Sequence, residues 1–221
     1  MDINELRSRY AAGERNFTKI NLAEADLSGF KLAGANLSGA NLSKANLTNA
    51  NLFGVNFTEA NLSQANLTMV CAIASTIIGT DLTRANLTSA DFSGATLTEA
   101  NLTEANLTEA NLAGANLSMA NLTKANLHSA NVSGAALLLA TDLIETDLTG
   151  ANFSGANFAS AILTGANLSG ANLREANFMG ADLSGANLTK ANLHEARLIE
   201  TTLTETNLSE ANLTGAIGLS N

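Results

Sequence analysis

The chain contains no proline, no tryptophan, one tyrosine and one cysteine among its 221 residues. The lone cysteine, Cys71, cannot form an intramolecular disulfide, so no disulfide framework is expected. The longest apolar runs, Met69–Ala74 and Ala135–Ala140, are far too short to cross a bilayer. The N-terminal stretch MDINELRSRY is charged and lacks the apolar segment of a secretory signal. These absences predict a cytoplasmic protein that does not enter a membrane.

Positive charge is also scarce. Eleven Lys and Arg stand against 20 Asp and Glu, which gives a net charge of −9. A surface that binds phosphates needs clustered Lys and Arg, so we expect no direct binding of nucleic acid. An acidic surface can instead bind a basic partner or compete with nucleic acid for it.

One five-residue unit makes up most of the chain. In residues 35–52, ANLSGANLSKANLTNANL, Ala is followed by Asn or Asp, then Leu or Phe, then Ser or Thr, then a variable residue. We call the Leu or Phe the centre. A five-residue step turns a helix by about 140°, which scatters the centres around it. In a flat strand an odd step alternates them between two faces. Keeping every centre inside therefore requires a corner in each unit, and this predicts a solenoid.

The unit resembles the A(D/N)LXX motif of the pentapeptide-repeat family, from about Arg15 to Ala216. The resemblance implies an all-β fold, a right-handed quadrilateral β-helix with four units per coil. The motif is highly specific for this fold and nearly silent on function.

The number of centres gives the size of the solenoid. They run from Phe17 to Leu137 in steps of five, which is 25 units, and from Leu143 to Leu213, which is 15 more. Forty units at four per coil predict about ten coils, a rod roughly 48 Å long at ~4.8 Å per coil. We expect one domain over residues 1–221, with coils over 15–216 and a C-terminal tail over 217–221.

The spacing is interrupted in GAALLLATDLIETDL, residues 134–148, where six residues separate Leu137 from Leu143. We interpret this as a one-residue insertion near 138–140, a corner bulge that leaves the stack of coils intact. With Phe17 opening face 1, the bulge would direct Leu138 and Leu139 outward on that face.

A short helix over residues 2–12 is predicted to cap the first coil. Asp2 and Glu5 match a capping box, and Gly13 is suited to a helix end. The apolar residues on one face of this helix are Ile3, Leu6 and Tyr10. The cap would make room for larger residues at the inward small positions of the first coil, which hold Arg15, Ile20 and Phe30.

The other irregular features concern corners and core. Glycine recurs in the last position of face 4, at Gly34, Gly54, Gly94, Gly114, Gly134, Gly155 and Gly215. This predicts turns with positive φ on face 4, and more permissive turns at the other corners, which carry Glu, Lys or Ser. Phe158 and Phe178 fall on face 1 in adjacent coils and are predicted to stack. Ala72 occupies a centre and predicts an underfilled coil.

The stretch YAAGERNF, Tyr10–Phe17, followed by the repeat, resembles the start of cyanobacterial members of the family, including regulators of heterocyst differentiation. Such members act by binding other regulatory proteins, which the resemblance implies here.

The residue types that commonly serve as catalytic groups or metal ligands show no arrangement in the sequence that predicts an active site. His128 and His194 fall on different faces, and no second His or Cys stands at metal-ligand spacing. A filled rod with small outward residues offers no desolvated pocket for acid–base catalysis. We predict no enzyme activity, no cofactor and no metal.

Two functions remain, and the first is a regulatory module that binds a protein partner. Outward apolar residues mark contact sites. On face 1 and just around its corner on face 2, these are Ile78, Met119, Leu138, Leu139, Met179, Ile199, Ile144 and Ile162.

The second is DNA mimicry, as in family members that bind DNA gyrase or topoisomerase and modulate quinolone sensitivity. Net −9 over roughly 48 Å is about one charge per 5 Å, against one per ~1.7 Å in duplex DNA. Those members commonly dimerise through a C-terminal helix, which this chain lacks after Leu213, so we predict a monomer. Ile217 and Leu219 either fold over the last coil or leave that end as a docking surface.

Overall fold

The computed structural model describes residues 2–137 and 141–219. Its one helix within these ranges, α1, covers Ile3–Ala11. The rest is a stack of coils in which the sheets consist of isolated parallel bridges between residues twenty positions apart, beginning with Asn16–Asn36. Twenty residues are four units, so each coil has four sides. No helix within the described ranges is both long enough and apolar enough to span a bilayer.

The bridge spacing changes once, at the interruption in the repeat. From Asn121–Asp142 to Ala136–Asn157 the bridged residues lie 21 positions apart, and from Asp142–Ile162 onward the spacing is again 20. The stack therefore takes up one additional residue without losing a bridge. The predicted bulge and the outward placement of Leu138 and Leu139 lie outside the described residues.

The centres and the small residues two positions before them fill the rod. Leu37 and Ala40 are buried, as are their equivalents along the stack. The Leu22 N–H donates to the Asn41 carbonyl in the next coil (2.7 Å), and the Asn41 N–H donates back to Ile20 (2.9 Å). Each side of a coil is thus bonded to the coils above and below, as the nearest-neighbour stability of a solenoid requires.

The Asn side chains that precede the centres bond in two directions. Within a unit, Asn41 Oδ1 accepts from the Ser43 N–H at 3.1 Å. Between coils, Asn172 Nδ2 donates to Asn152 Oδ1 at 2.9 Å. On face 4 this ladder runs from Asp91 to Asn212, with one link per coil. Repeated Asn therefore satisfies its own polar atoms while it ties neighbouring coils together.

All four corners of the coil use a left-handed residue two positions after the centre. Lys19 on face 1 has φ 54° and Glu24 on face 2 has φ 59°, close to the 63° of Gly94 on face 4. The Ala25 N–H closes the turn on the Leu22 carbonyl at 3.1 Å, a pattern shared with type II turns. The prediction of more permissive turns away from face 4 is therefore wrong. A non-glycine residue in this conformation costs roughly 1 kcal/mol, which burial of its neighbouring centre offsets.

Helix α1 begins at a side-chain cap. Asp2 is the N-cap and accepts from the Asn4 N–H at 3.3 Å. Glu5 does not complete a capping box, because its carboxylate pairs with Arg9 at 3.3 Å instead. The helix spans Ile3–Ala11, one residue shorter at each end than the sequence predicted.

The apolar side of α1 closes the N-terminal end of the rod, as its spacing predicts. Leu6 is fully buried, and Ile3 and Tyr10 are half-buried against the core. Tyr10 Oη donates to the Ala33 carbonyl on face 4 at 2.9 Å, which fastens the helix to the first coil.

Arg15 does not point inward as its position in the repeat suggested. The residue is exposed, and its guanidinium lies over the Tyr10 ring at 3.8 Å from the centroid while donating to the Tyr10 carbonyl. Burying an unpaired guanidinium would be too costly, so it covers the cap from outside. Ile20 and Phe30, which carry no charge, do pack inward.

The coil over residues 69–80 differs from the other coils both in its sequence and in how its core is packed. Ala72 is fully buried at a centre, and the register places the larger Phe92 at the same position of the next coil. The Ser75 hydroxyl is buried without a hydrogen-bond partner. Thr80, at the equivalent position of the next side, donates to the Phe57 carbonyl at 2.7 Å.

The C-terminal end of the described chain has no helical cover. Ile217 extends the stack through a bridge to Arg197, and it is half exposed, as is Leu219 to a lesser degree. Neither residue folds over the last coil. The centres of that coil are only partly buried, namely Leu203, Leu208 and Leu213. Within the described residues, the first coil is covered by α1, whereas the last coil is only partly covered.

Candidate functional site

The surface of the rod is determined by two positions per unit. The residue after each centre and the corner residue beyond it face outward, and the repeat normally fills them with Ser, Thr, Gly or Glu. An apolar side chain at either position points away from the core, because the backbone of the unit is fixed by its neighbours. The exposed large apolar residues of the described chain are Phe53, Met69, Met119, Met179, Ile217 and Leu219.

Outward apolar residues of face 1 form a line near the C-terminal end. We name the set Ala159, Met179, Ile199 and Leu219 the face-1 strip; each follows the previous one by twenty residues. The Ser160 N–H donates to the Met179 carbonyl, and the Gly180 N–H donates to the Ile199 carbonyl, both at 3.0 Å. These bonds place Ala159, Met179 and Ile199 in successive coils, and the bridge of Ile217 to Arg197 continues the stack to the segment that holds Leu219. Met179 is 42% exposed and Leu219 38%, so the strip presents apolar surface rather than core.

The sequence candidates are only partly brought together. Met179 and Ile199 are neighbours in the strip, whereas Met119 is exposed one coil beyond Glu99, and the equivalent position of the following coil lies outside the described residues. Ile144 and Ile162 are half-buried on face 2, where Ile162 bridges to the residue before Leu143. Of the remaining candidates, Ile78 is half-buried on face 1. The other two, Leu138 and Leu139, lie outside the described ranges.

Sequence reasoning missed a second apolar site on face 4. Phe53 is 53% exposed, and the Gly54 N–H bonds to the Ile73 carbonyl at 2.9 Å, so the two side chains follow one another in adjacent coils. Met69 lies at the preceding corner with 57% exposure. The signal was present, because Phe53 stands where the repeat has Ser or Thr.

Charges at the corner after face 2 are opposite in Glu24 and Lys44, and they alternate in sign over four successive coils from Arg84 to Glu145. Ion pairs link Lys44 to Glu24 at 3.5 Å and Arg84 to Glu104 at 2.7 Å. A third pair follows further along, at 3.4 Å, between Lys124 and Glu145. The Arg84 guanidinium holds the pKa of Glu104 below its ordinary value. Exposed pairs of this kind contribute little to stability, but they interrupt the negative charge along the rod.

No three His, Cys, Asp or Glu side chains are placed to hold a metal ion within residues 2–137 and 141–219. Cys71 is half-buried in the irregular coil.

Comparisons with known proteins agree with this repeat architecture. The family model described as "Pentapeptide repeats" matches in eight copies, over residues 16–52, 31–68, 73–103, 100–137, 138–174 and 176–215. No curated protein matches the chain.

Several solved structures are similar to it. HetL, a pentapeptide repeat protein involved in heterocyst differentiation regulation from Nostoc sp. strain PCC 7120, is 38% identical over 100% of both chains, with a TM-score of 0.45. The pentapeptide repeat protein alr5209 from Nostoc PCC 7120 is 31% identical over 49% of this chain and 79% of its own, with a TM-score of 0.36. QnrB1, a plasmid-mediated fluoroquinolone resistance protein, is 20% identical over 92% and 85%, with a TM-score of 0.38.

Proposed function

We propose that this chain, which belongs to the pentapeptide-repeat family, is a non-enzymatic regulatory module that binds a protein partner through the face-1 strip. Family membership implies a right-handed β-helix for the stack of coils. The observation that carries the proposal is the position of Met179 and Ile199 in successive coils, at sites where the repeat otherwise places Ser or Thr.

Apolar residues at these positions contribute nothing to the core. The Phe178 and Leu198 centres beside them are already fully buried, so Met179 and Ile199 add apolar surface only to the outside. A line of such residues on a rigid wall is what a protein interface needs at its centre. Methionine suits the role because its flexible side chain adapts to an incoming surface.

The rod supports this use because it presents the strip without a change of conformation. The Met179 and Ile199 carbonyls accept from the Ser160 and Gly180 N–H groups of the preceding coil, so little ordering of these two residues is required on binding. The chain acts as a monomeric scaffold in the cytoplasm in this proposal. A more specific version of the proposal is that the chain regulates cyanobacterial differentiation, and this version rests on the YAAGERNF stretch.

The experiment replaces two strip residues by the residue that the repeat prefers. Met179→Thr with Ile199→Thr removes the apolar surface and keeps the fold, since Thr at this position elsewhere bonds to the preceding Asn, as Thr189 does to Asn187 at 2.6 Å. Proteins captured from a cyanobacterial lysate by wild type and variant are then quantified by mass spectrometry. We expect the specific partner to be recovered at least tenfold less, since an apolar hot-spot residue contributes about 2 kcal/mol.

The matched control is Phe53→Thr with Ile73→Thr, which removes the same kind of surface from face 4. This variant should recover the partner as wild type does. Equal recovery by the strip variant and wild type, with both folded by circular dichroism, would sink the proposal.

DNA mimicry fits the surface less well. The alternating corner charges, such as Arg84 beside Glu104, break the continuous negative line that a duplex presents. We expect micromolar protein to leave gyrase supercoiling unchanged. Inhibition or protection of gyrase, reversed by the strip variant or not, would establish this alternative in place of a regulatory scaffold.

A further inference from the structure

A cleft lies at the opposite end of the rod, between α1 and the first coil. It has a volume of about 410 Å³, within the range of small binding pockets. The lining residues are Arg7, Tyr10, Ala11, Ser28, Gly29, Phe30 and Lys31. One wall is the helix, and the other is the corner that leads from face 3 to face 4.

The floor of the cleft is apolar and rigid. Phe30 occupies a position that is Ala in most coils, and its main chain is bonded both to Leu27 (3.0 Å) and to Asn51 of the next coil (2.8 Å). Tyr10 is fixed from the other side through its bond to the Ala33 carbonyl. Phe30, which is 8% exposed, and Tyr10 thus line the cleft from two elements that are each hydrogen-bonded to the rod.

The rim carries two cations. The Arg7 guanidinium lies 4.8 Å from the centroid of the Phe30 ring. Lys31 stands in the next position of the chain, where the repeat places Asn or Asp, and is exposed. Neither takes part in an ion pair found among the described residues.

The nearby charges are satisfied elsewhere. Arg9 is held by Glu14 and Glu5. The Asp26 carboxylate accepts from the Ser28 N–H at 3.1 Å and from Asn46 Nδ2 at 3.0 Å. Arg7 and Lys31 are therefore the lining cations that have no carboxylate partner among the described residues.

We propose that this cleft binds an acidic peptide segment of a protein, with a carboxylate between Arg7 and Lys31 and an adjacent apolar side chain against Phe30 and Tyr10. The site is separate from the face-1 strip and does not depend on it. Two cations suffice for one or two carboxylates. They are too few for a nucleic-acid backbone, which the acidic rod would also repel.

The test uses the full chain and a fluorescein-labelled peptide, Gly-Glu-Phe-Asp-Leu-Gly, with anisotropy as the readout. The comparison peptide, Gly-Gln-Phe-Asn-Leu-Gly, lacks both carboxylates. We expect saturable binding of the first peptide, at least about tenfold tighter than the second, and weakened when NaCl rises to about 0.5 M.

The variants are Arg7→Gln and Lys31→Asn, the latter restoring the residue of the repeat. Each should weaken binding about three- to tenfold. Lys124→Gln, which makes the same change of charge far along the rod, should have no effect, and neither should the strip variant Met179→Thr with Ile199→Thr. No saturable binding at millimolar protein, binding that Arg7→Gln and Lys31→Asn leave unchanged, or tighter binding of an RNA oligonucleotide overturns the proposal.

Discussion

The rings of Phe158 and Phe178 are stacked and nearly parallel, with centroids 4.7 Å apart and an angle of 4° between their planes. The two residues are face-1 centres of adjacent coils, and Phe153 meets Phe158 from face 4 at 5.1 Å. The separation equals the ordinary spacing between bonded strands, so the rings stack without any distortion of the coils. The stacking predicted from their spacing in the sequence is confirmed.

Truncation of one ring should destabilise the rod strongly. Phe178 is fully buried, so Phe178→Ala leaves a cavity and should lower the free energy of unfolding by about 3–5 kcal/mol. Phe178→Leu supplies the usual centre and should cost only about 1–1.5 kcal/mol. Urea unfolding followed by circular dichroism separates them, and equal losses for both variants would contradict the stacked core.

Removing each of two buried hydroxyls in the coil over residues 69–80 should change the free energy of unfolding in opposite directions. Ser75 has no partner for its Oγ, so Ser75→Ala should raise the free energy of unfolding by about 1 kcal/mol. Thr80 bonds to the Phe57 carbonyl, so Thr80→Ala should lower it by about 1–2 kcal/mol. Thermal melts of the two variants beside wild type test this, and a destabilised Ser75→Ala protein is the result that would count against it.

Two glycines with positive φ should differ in what an added methyl group does. Gly94 has open space around its missing Cβ, so Gly94→Ala should cost only the left-handed strain of about 1 kcal/mol. At Gly218 the added Cβ would lie 2.4 Å from the Ile199 nitrogen, so the backbone must move there. The Leu198 N–H, which bonds to the Ile217 carbonyl at 2.7 Å, should exchange faster with deuterium in Gly218→Ala only. Unchanged exchange in that variant would argue against the last bridge.

The pH dependence of stability should follow carboxylates that accept hydrogen bonds. The Ser184 hydroxyl and N–H donate to Asp182 and hold its pKa below the ordinary value. Because the folded pKa is the lower one, this contribution is complete above the unfolded pKa of about 4 and is lost as pH falls further. Asp182→Asn keeps the repeat and removes the titration. Its melting temperature should therefore fall less than that of wild type between pH 6 and pH 3, and parallel curves would refute the assignment.

The fold was predictable because a period of five admits few ways of burying every centre. The same reasoning located the cap through Leu6 and the additional residue after Leu137. The geometry of the corners was not predictable in this way. Positive φ is expected of glycine, and a glutamate such as Glu24 does not indicate it. A non-glycine residue keeps positive φ there because the bridges on both sides of each corner fix the turn.

The surface was harder to predict than the core. Met179 and Ile199 stood out once the repeat was aligned, and Phe53 could have been found by the same rule. The N-terminal cleft could not, because Arg7 belongs to a helix whose contact with Phe30 depends on how the cap lies over the first coil. Arg15 was misplaced for a related reason: its position in the unit points inward, while its charge requires solvent.

The alternating corner charges bear on how the rod avoids folding errors. Since the units are nearly identical, a misregister that skips one coil would keep every leucine inside. In the native stack Arg84 lies beside Glu104, and Lys124 beside Glu145. Skipping a coil would instead set Arg84 against Lys124 and Glu104 against Glu145, like charge against like. Pairs that add little to the stability of the correct structure thus penalise the incorrect one, and distinguish otherwise interchangeable coils.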